Sequence, residues 1–140
     1  MKRVFADTSY WIALANPNDS LHKIAKDLSK SLKNVTITTT DEVLGELLTY
    51  FSSKYGSTFR QKAAQMVRYI LNELTIEVIP QTRESFLSGL ELYEKRPDKE
   101  YSFVDCISMD VMRRLDIKEV LTGDIHFTQE NFIASLVKPE

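Results

Sequence analysis

Short β-branched or apolar runs alternate with longer stretches of helical periodicity along the whole chain. Val4 and Phe5 form a buried strand that breaks at Asp7-Thr8-Ser9, and Tyr10 to Leu14 opens a short helix reaching about Ala15. Asn16-Pro17-Asn18-Asp19-Ser20 is a turn cluster, after which Leu21, Ile24, Ala25, Leu28 and Leu32 recur at helical spacing to about Lys33. Val35-Thr36-Ile37-Thr38 is β-branched throughout and predicts a second strand. Thr39 with Glu42 has the form of a capping box, and Val43, Leu44, Leu47, Leu48 and Phe51 give the next helix its core face, ending near Gly56. Ser57 to Leu74 continues as a helix with Phe59, Ala63, Met66, Val67, Ile70 and Leu71 on one side. Thr75 to Ile79 is a third strand stopped by Pro80. Two helices follow, Glu84 to Arg96 with Phe86, Leu87, Leu90 and Tyr93 inward, and Ser102 to Leu115 with Val104, Ile107, Val111 and Leu115 as its stripe. Glu119 to Thr122 is a fourth strand, Gly123-Asp124 the turn after it, and Ser135-Leu136-Val137 a short fifth strand.

Strands separated by helices imply parallel pairing, since each crossover needs room for a helix. The pattern therefore predicts an α/β fold of three layers, α/β/α. The 140 residues suit one domain spanning 1–140, and 43% hydrophobic with 27% charged residues exclude a disordered chain. The single Cys106 permits no internal disulfide, and neither an apolar leader nor an apolar run of transmembrane length is found, so a cytoplasmic, membrane-free setting is expected. A net charge of −2 does not advertise nucleic-acid binding, but it is only an average and says nothing of local clusters.

The acids change the picture. Asp7 follows the first strand and Asp124 the fourth, so both face the carboxyl edge of a parallel sheet, where such folds keep their ligands. Glu46 lies at the border of the apolar stripe on the helix after the second strand, and Asp105 in the first turn of its helix, three residues after Ser102. Two of them have a local explanation, because Asp7 would cap a helix and Asp105 would answer a helix dipole. Asp41 and Glu42 read as capping acids in the same way. Together, however, Asp7, Glu46, Asp105 and Asp124 would repel one another unless protons or cations compensate, and a hard divalent cation such as Mg²⁺ takes such an all-oxygen ligand set.

Asp7-Thr8-Ser9, Glu46, Ser102-Phe103-Val104-Asp105 and Thr122-Gly123-Asp124-Ile125-His126-Phe127, in that order over essentially the whole chain, resemble the signature of PIN-domain ribonucleases, and most of all the VapC-type toxins of toxin-antitoxin pairs. The resemblance implies a five-stranded parallel sheet in order 3-2-1-4-5. It implies an endoribonuclease using one or two Mg²⁺ or Mn²⁺ ions, leaving 5′-phosphate and 3′-hydroxyl ends, commonly homodimeric and neutralised by an antitoxin. It assigns Asp7, Glu46, Asp105 and Asp124 as catalytic acids and metal ligands, and Ser9 and Thr122 as hydroxyls near the metal or its waters. His126, close behind Asp124, is a candidate for substrate contact.

Arg60, Lys62 and Arg68, or Arg113 and Arg114, are candidates for contact with an RNA backbone, although a solvated helix face explains them more simply. Cys106 reads as a buried structural thiol, His22 as a residue of a solvated helix face, and Tyr10, Trp11 and Phe127 as packing residues. Two other functions fit parts of the pattern. A haloacid-dehalogenase-like phosphohydrolase also follows its first strand with Asp but wants a second Asp where Ser9 stands, and a non-catalytic PIN-fold binding module would usually have lost some of its acids.

Overall fold

Each short β-branched or apolar run becomes a parallel strand that hands over to a helical segment at its carboxyl end, apart from the short last one. The computed structural model describes residues 1–52 and 56–136. The elements are β1 (Lys2–Ala6), α1 (Thr8–Ala15), α2 (His22–Ser31), β2 (Val35–Thr40), α3 (Asp41–Tyr50), α4 (Gly56–Asn72), β3 (Ile76–Ile79), α5 (Arg83–Lys95), α6 (Phe103–Arg114), β4 (Glu119–Leu121), a 3-10 helix (Ile125–Glu130) and β5 (Ile133–Ala134). The strands form one all-parallel sheet in the expected order, β3-β2-β1-β4-β5.

By the handedness rule for parallel crossovers, the helices that step outward from β1 to β3 and those that step back to β4 fall on opposite faces of the sheet, with α3 also meeting α6. The chain thus leaves β1 toward β2 and returns on its other side as β4. A crevice opens between the carboxyl ends of these two strands. Val4, Phe5 and Ala6 of β1 and Val120 and Leu121 of β4 are fully buried, and each large side chain among them stabilises the fold by roughly 1.5–3 kcal/mol.

Thr38, Thr39 and Thr40 of β2 are also buried, and their hydroxyls are satisfied by neighbours. Thr38 donates to Glu77, and Thr39 donates to the Ala6 carbonyl at 2.9 Å. Thr39 is thus a strand residue and not the expected cap. The strand runs two residues past its expected end at Thr38, so Thr40 caps α3 by accepting from the Val43 amide, and Glu42 falls one position short of a capping box. Asp41 does not cap either; its carboxylate accepts the Gln81 amide at 2.9 Å and ties α3 to the end of β3.

Other expectations are corrected by packing. On α5 the buried residues are Ser85, Gly89 and Leu92, while Phe86, Leu87, Leu90 and Tyr93 are exposed. Small residues let α5 approach α6 closely, and that contact outweighs the larger apolar side chains. Leu48 and Leu71 are likewise exposed. The third helix stops at Tyr50, well before Gly56, because Phe51 and Ser52 tighten its last turn; Gly56, with φ +79°, begins α4. His22 is half-buried, with Nδ1 2.6 Å from the Ala13 carbonyl, and pins the start of α2 to α1. The last strand is Ile133–Ala134, earlier than Ser135-Leu136. Asn131 in the left-handed region and the bond from the Phe132 amide to the Phe127 carbonyl turn the chain straight into the sheet, and Val137 lies outside the described residues.

A Cβ added at Gly89 would sit 2.5 Å from Ile107 Cγ1 and 3.4 Å from the Ile107 Cα. Replacing Gly89 by Ala is therefore expected to destabilise the protein by roughly 1–3 kcal/mol, read as a lower urea midpoint with an unchanged slope.

Candidate metal centre

Asp7 occupies the N-cap position of α1 yet makes no side-chain capping bond. Its amide donates to the Leu121 carbonyl, joining β1 to the end of β4, and its Oδ2 accepts the Thr122 hydroxyl at 2.8 Å. Oδ1 is buried without a hydrogen-bond partner. Burial first, and then the charges of Asp105 and Glu46, push this carboxyl up to about 7, against the bond from Thr122 and the Thr8 amide beside it. The local capping role is thus displaced by a bond across the crevice.

Thr122 itself is fully buried. Its Oγ1 also accepts the Asp124 amide and lies 3.1 Å from Ser9 Oγ, which in turn accepts the Gly123 amide. The two hydroxyls therefore fasten the loop after β4 to the start of α1. Asp124 caps the 3-10 helix by accepting the His126 amide at 2.9 Å.

Asp105 caps its helix and also lines the crevice. In a reciprocal capping box its amide donates to Ser102 Oγ and its Oδ2 accepts the Ser102 amide, each at 3.0 Å, and the carboxylate is nevertheless part of the crevice. Burial raises its pKa, and the charges of Asp124 and Glu46 add to this, while the bonds from Ser102 oppose it. Glu46 reaches the same place from the middle of α3. A cleft of about 330 Å³ is lined by Asp7, Glu46, Asp105 and Asp124 together with Thr8, Ser9 and Tyr50 among others.

A carboxylate oxygen from each of Asp105 and Asp124 and a ring nitrogen of His126 lie within 4.8 Å of one another. Among the described residues, no Lys or Arg forms an ion pair with any of the four acids. A divalent cation fits this donor set: the oxygens are hard, they converge, and the buried Oδ1 of Asp7 lacks a partner.

The remaining candidates have other duties. Cys106 is a buried free thiol, pushed up to about 11 by burial and then by Asp105. Tyr10, Trp11 and Phe127 are core residues. Arg60 donates to the Ser52 carbonyl, Lys62 lies over the Phe59 ring, Arg113 pairs with Glu130, and Arg114 with Asp110.

Glu130 is the polar residue that the sequence conceals. Burial opposes its charge, but Arg96 at 3.0 Å, Arg113 at 2.6 Å and the Tyr101 hydroxyl at 3.0 Å hold its pKa down at about 2. Its partners lie 17 to 34 residues away, so no local spacing announces them. The network steadies the segment leading into Ser102, and the Tyr101 ring packs edge-on against His126.

A sequence model of the PIN domain matches residues 4–132. The chain is 33% identical over 137 residues to the 23S rRNA-specific endonuclease VapC20 of Mycobacterium tuberculosis, covering 98% of this chain and 99% of that protein. Among solved structures it is similar to that of M. tuberculosis VapC20, described as a toxin cleaving the sarcin-ricin loop, with a TM-score of 0.84 and 30% identity over 97% of this chain and 99% of the other. The fold is also shared with VapBC2 of Rickettsia felis, at a TM-score of 0.67 and 17% identity over 94% of this chain and 96% of that one.

In the cation-free protein, native Asp7 holds a proton that the unfolded chain has already released between about pH 4 and pH 7. Stability in chelator should therefore fall as pH rises through that window and stay low above it. Asp7→Asn should flatten this dependence and be the more stable protein at about pH 8, by on the order of 4 kcal/mol, as measured by thermal unfolding.

Proposed function

The chain belongs to the PIN-domain family, and from that membership we propose that it is a divalent-metal-dependent endoribonuclease, the toxin of a toxin-antitoxin pair, that cuts ribosomal RNA. The observation that carries the proposal is the buried, unpartnered Oδ1 of Asp7 beside Glu46, Asp105 and Asp124, without a Lys or Arg to neutralise them among the described residues. Structural acids in this same protein are treated differently, as Glu130 with its two arginines shows.

When bound, a Mg²⁺ or Mn²⁺ ion supplies a water of lowered pKa and shields the charge of a phosphodiester. Asp7 and Asp105 are its direct ligands in this reading, with Asp124 and Glu46 binding directly or through water, for one or two ions. Thr122 and Ser9 act one step back, since they hold Asp7 and the Gly123-Asp124 turn in place. The openness of the cleft suits an unstacked RNA loop, whose bases and backbone can enter together. The rRNA substrate class rests on the 33% identical relative, and the whole chain acts as one nuclease unit. An antitoxin that covers the helices starting at Ser9 and Asp41, and a homodimer, complete the proposal.

The test is cleavage of an rRNA fragment containing the sarcin-ricin loop, in Mg²⁺, in Mn²⁺ and in chelator. Cleavage should require the cation, and Asp7→Asn and Asp105→Asn should each lower it by at least about 100-fold while the circular dichroism spectrum is retained. Cleavage in chelator, or full activity in both variants, overturns the reading.

A further inference from the structure

His126 is held where a ligand would be held. Its backbone amide is already bonded to Asp124 Oδ1 at 2.9 Å, which curls the side chain back toward the same carboxylate. Its Nδ1 ends 3.1 Å from that oxygen, buried, but without the geometry of a hydrogen bond to it. The 3.1 Å approach is within ion-pair distance, and it is also the spacing of two ligands converging on one ion. The ring is steadied from behind by Tyr101, 5.7 Å away between centroids, whose hydroxyl is anchored on Glu130.

A second, independent observation points into the same crevice. Asp7, only 4% exposed, lines the cleft with Asp105 and Asp124, and its Oδ1 has no partner. The crevice thus offers an orphaned oxygen on one wall and an orphaned nitrogen near the other.

We propose that His126 is a direct nitrogen ligand of the metal centre and biases it toward Mn²⁺ over Mg²⁺. The proposal rests on the metal-nuclease reading and adds to it a ligand outside the four acids. Mg²⁺ keeps to oxygen donors and retains its waters, whereas imidazole suits transition ions, so a nitrogen in the ligand set shifts the balance between them. The competing role for His126 is to donate from Nδ1 to Asp124 and merely orient it, as groups behind metal ligands do.

Electron-spin-echo spectroscopy of the full-length protein loaded with Mn²⁺ alone separates these. Only two histidines are present, so selective ¹⁵N-histidine labelling and His126→Ala assign any coupling seen. The expected result is a directly coordinated imidazole nitrogen in the wild type that changes with labelling and disappears in His126→Ala. Calorimetry should show Mn²⁺ affinity falling in that variant by more than the roughly 10- to 100-fold that loss of a merely orienting group costs, with Mg²⁺ affinity changed much less. Wild-type protein that binds Mn²⁺ through oxygens only overturns the proposal and leaves the nuclease reading intact. Protein that binds neither ion overturns both, and the wild-type spectrum decides without reliance on how well the variant folds.

Discussion

A carboxylate taken out of water needs a proton, a cation or a full set of donors, and at Asp7 the protein supplies only part of the last. Thr122 donates to one oxygen; the other is left bare. This arrangement depends on β1 and β4 being neighbours, with Ala6 opposite Leu121, so that the residues after each strand emerge side by side. The sheet order, the crossover hands and the buried apolar strands all serve to bring Asp7 and Thr122 together at the switch point. Asp105 and Glu46 are then delivered to the same crevice by helices.

Two buried acids in this one molecule show what the difference means. Glu130 is surrounded by Arg96, Arg113 and Tyr101 and stays ionised far below its ordinary range. Asp7 is surrounded by further carboxylates, and its charged form is penalised. The first is a structural strut. The second stores an electrostatic cost that a bound cation would relieve, which is how a site can be weakly stable by itself and selective for its ligand.

Much of the architecture was legible in the sequence because parallel sheets leave a plain trace: β-branched runs too short for helices, divided by helical periodicity. The strand order came with the family resemblance and not from the periodicity. What escaped were contacts governed by small residues and by distance along the chain. Gly89 and Ser85 carry no hydrophobic signal, yet they turn α5 so that Phe86, Leu87, Leu90 and Tyr93 face outward. Thr39 and Thr40 differ by one place, and only the length of β2 decides which of them caps α3. The four acids were legible as a set, but their geometry was not. In the sequence, helix capping and a place in the crevice compete to explain Asp105, whereas one carboxylate does both; at Asp7 the bond from Thr122, 115 positions away, displaces the cap.

The central claim is that Asp7 Oδ1 awaits a cation. Crystals grown with Mn²⁺, measured for anomalous scattering from manganese, test it most directly. The account predicts an ordered anomalous peak within roughly 2–2.5 Å of Asp7 Oδ1 and of an Asp105 oxygen. A saturated crystal with no peak in the crevice, or with Asp7 Oδ1 bonded to a protein donor instead, would contradict it.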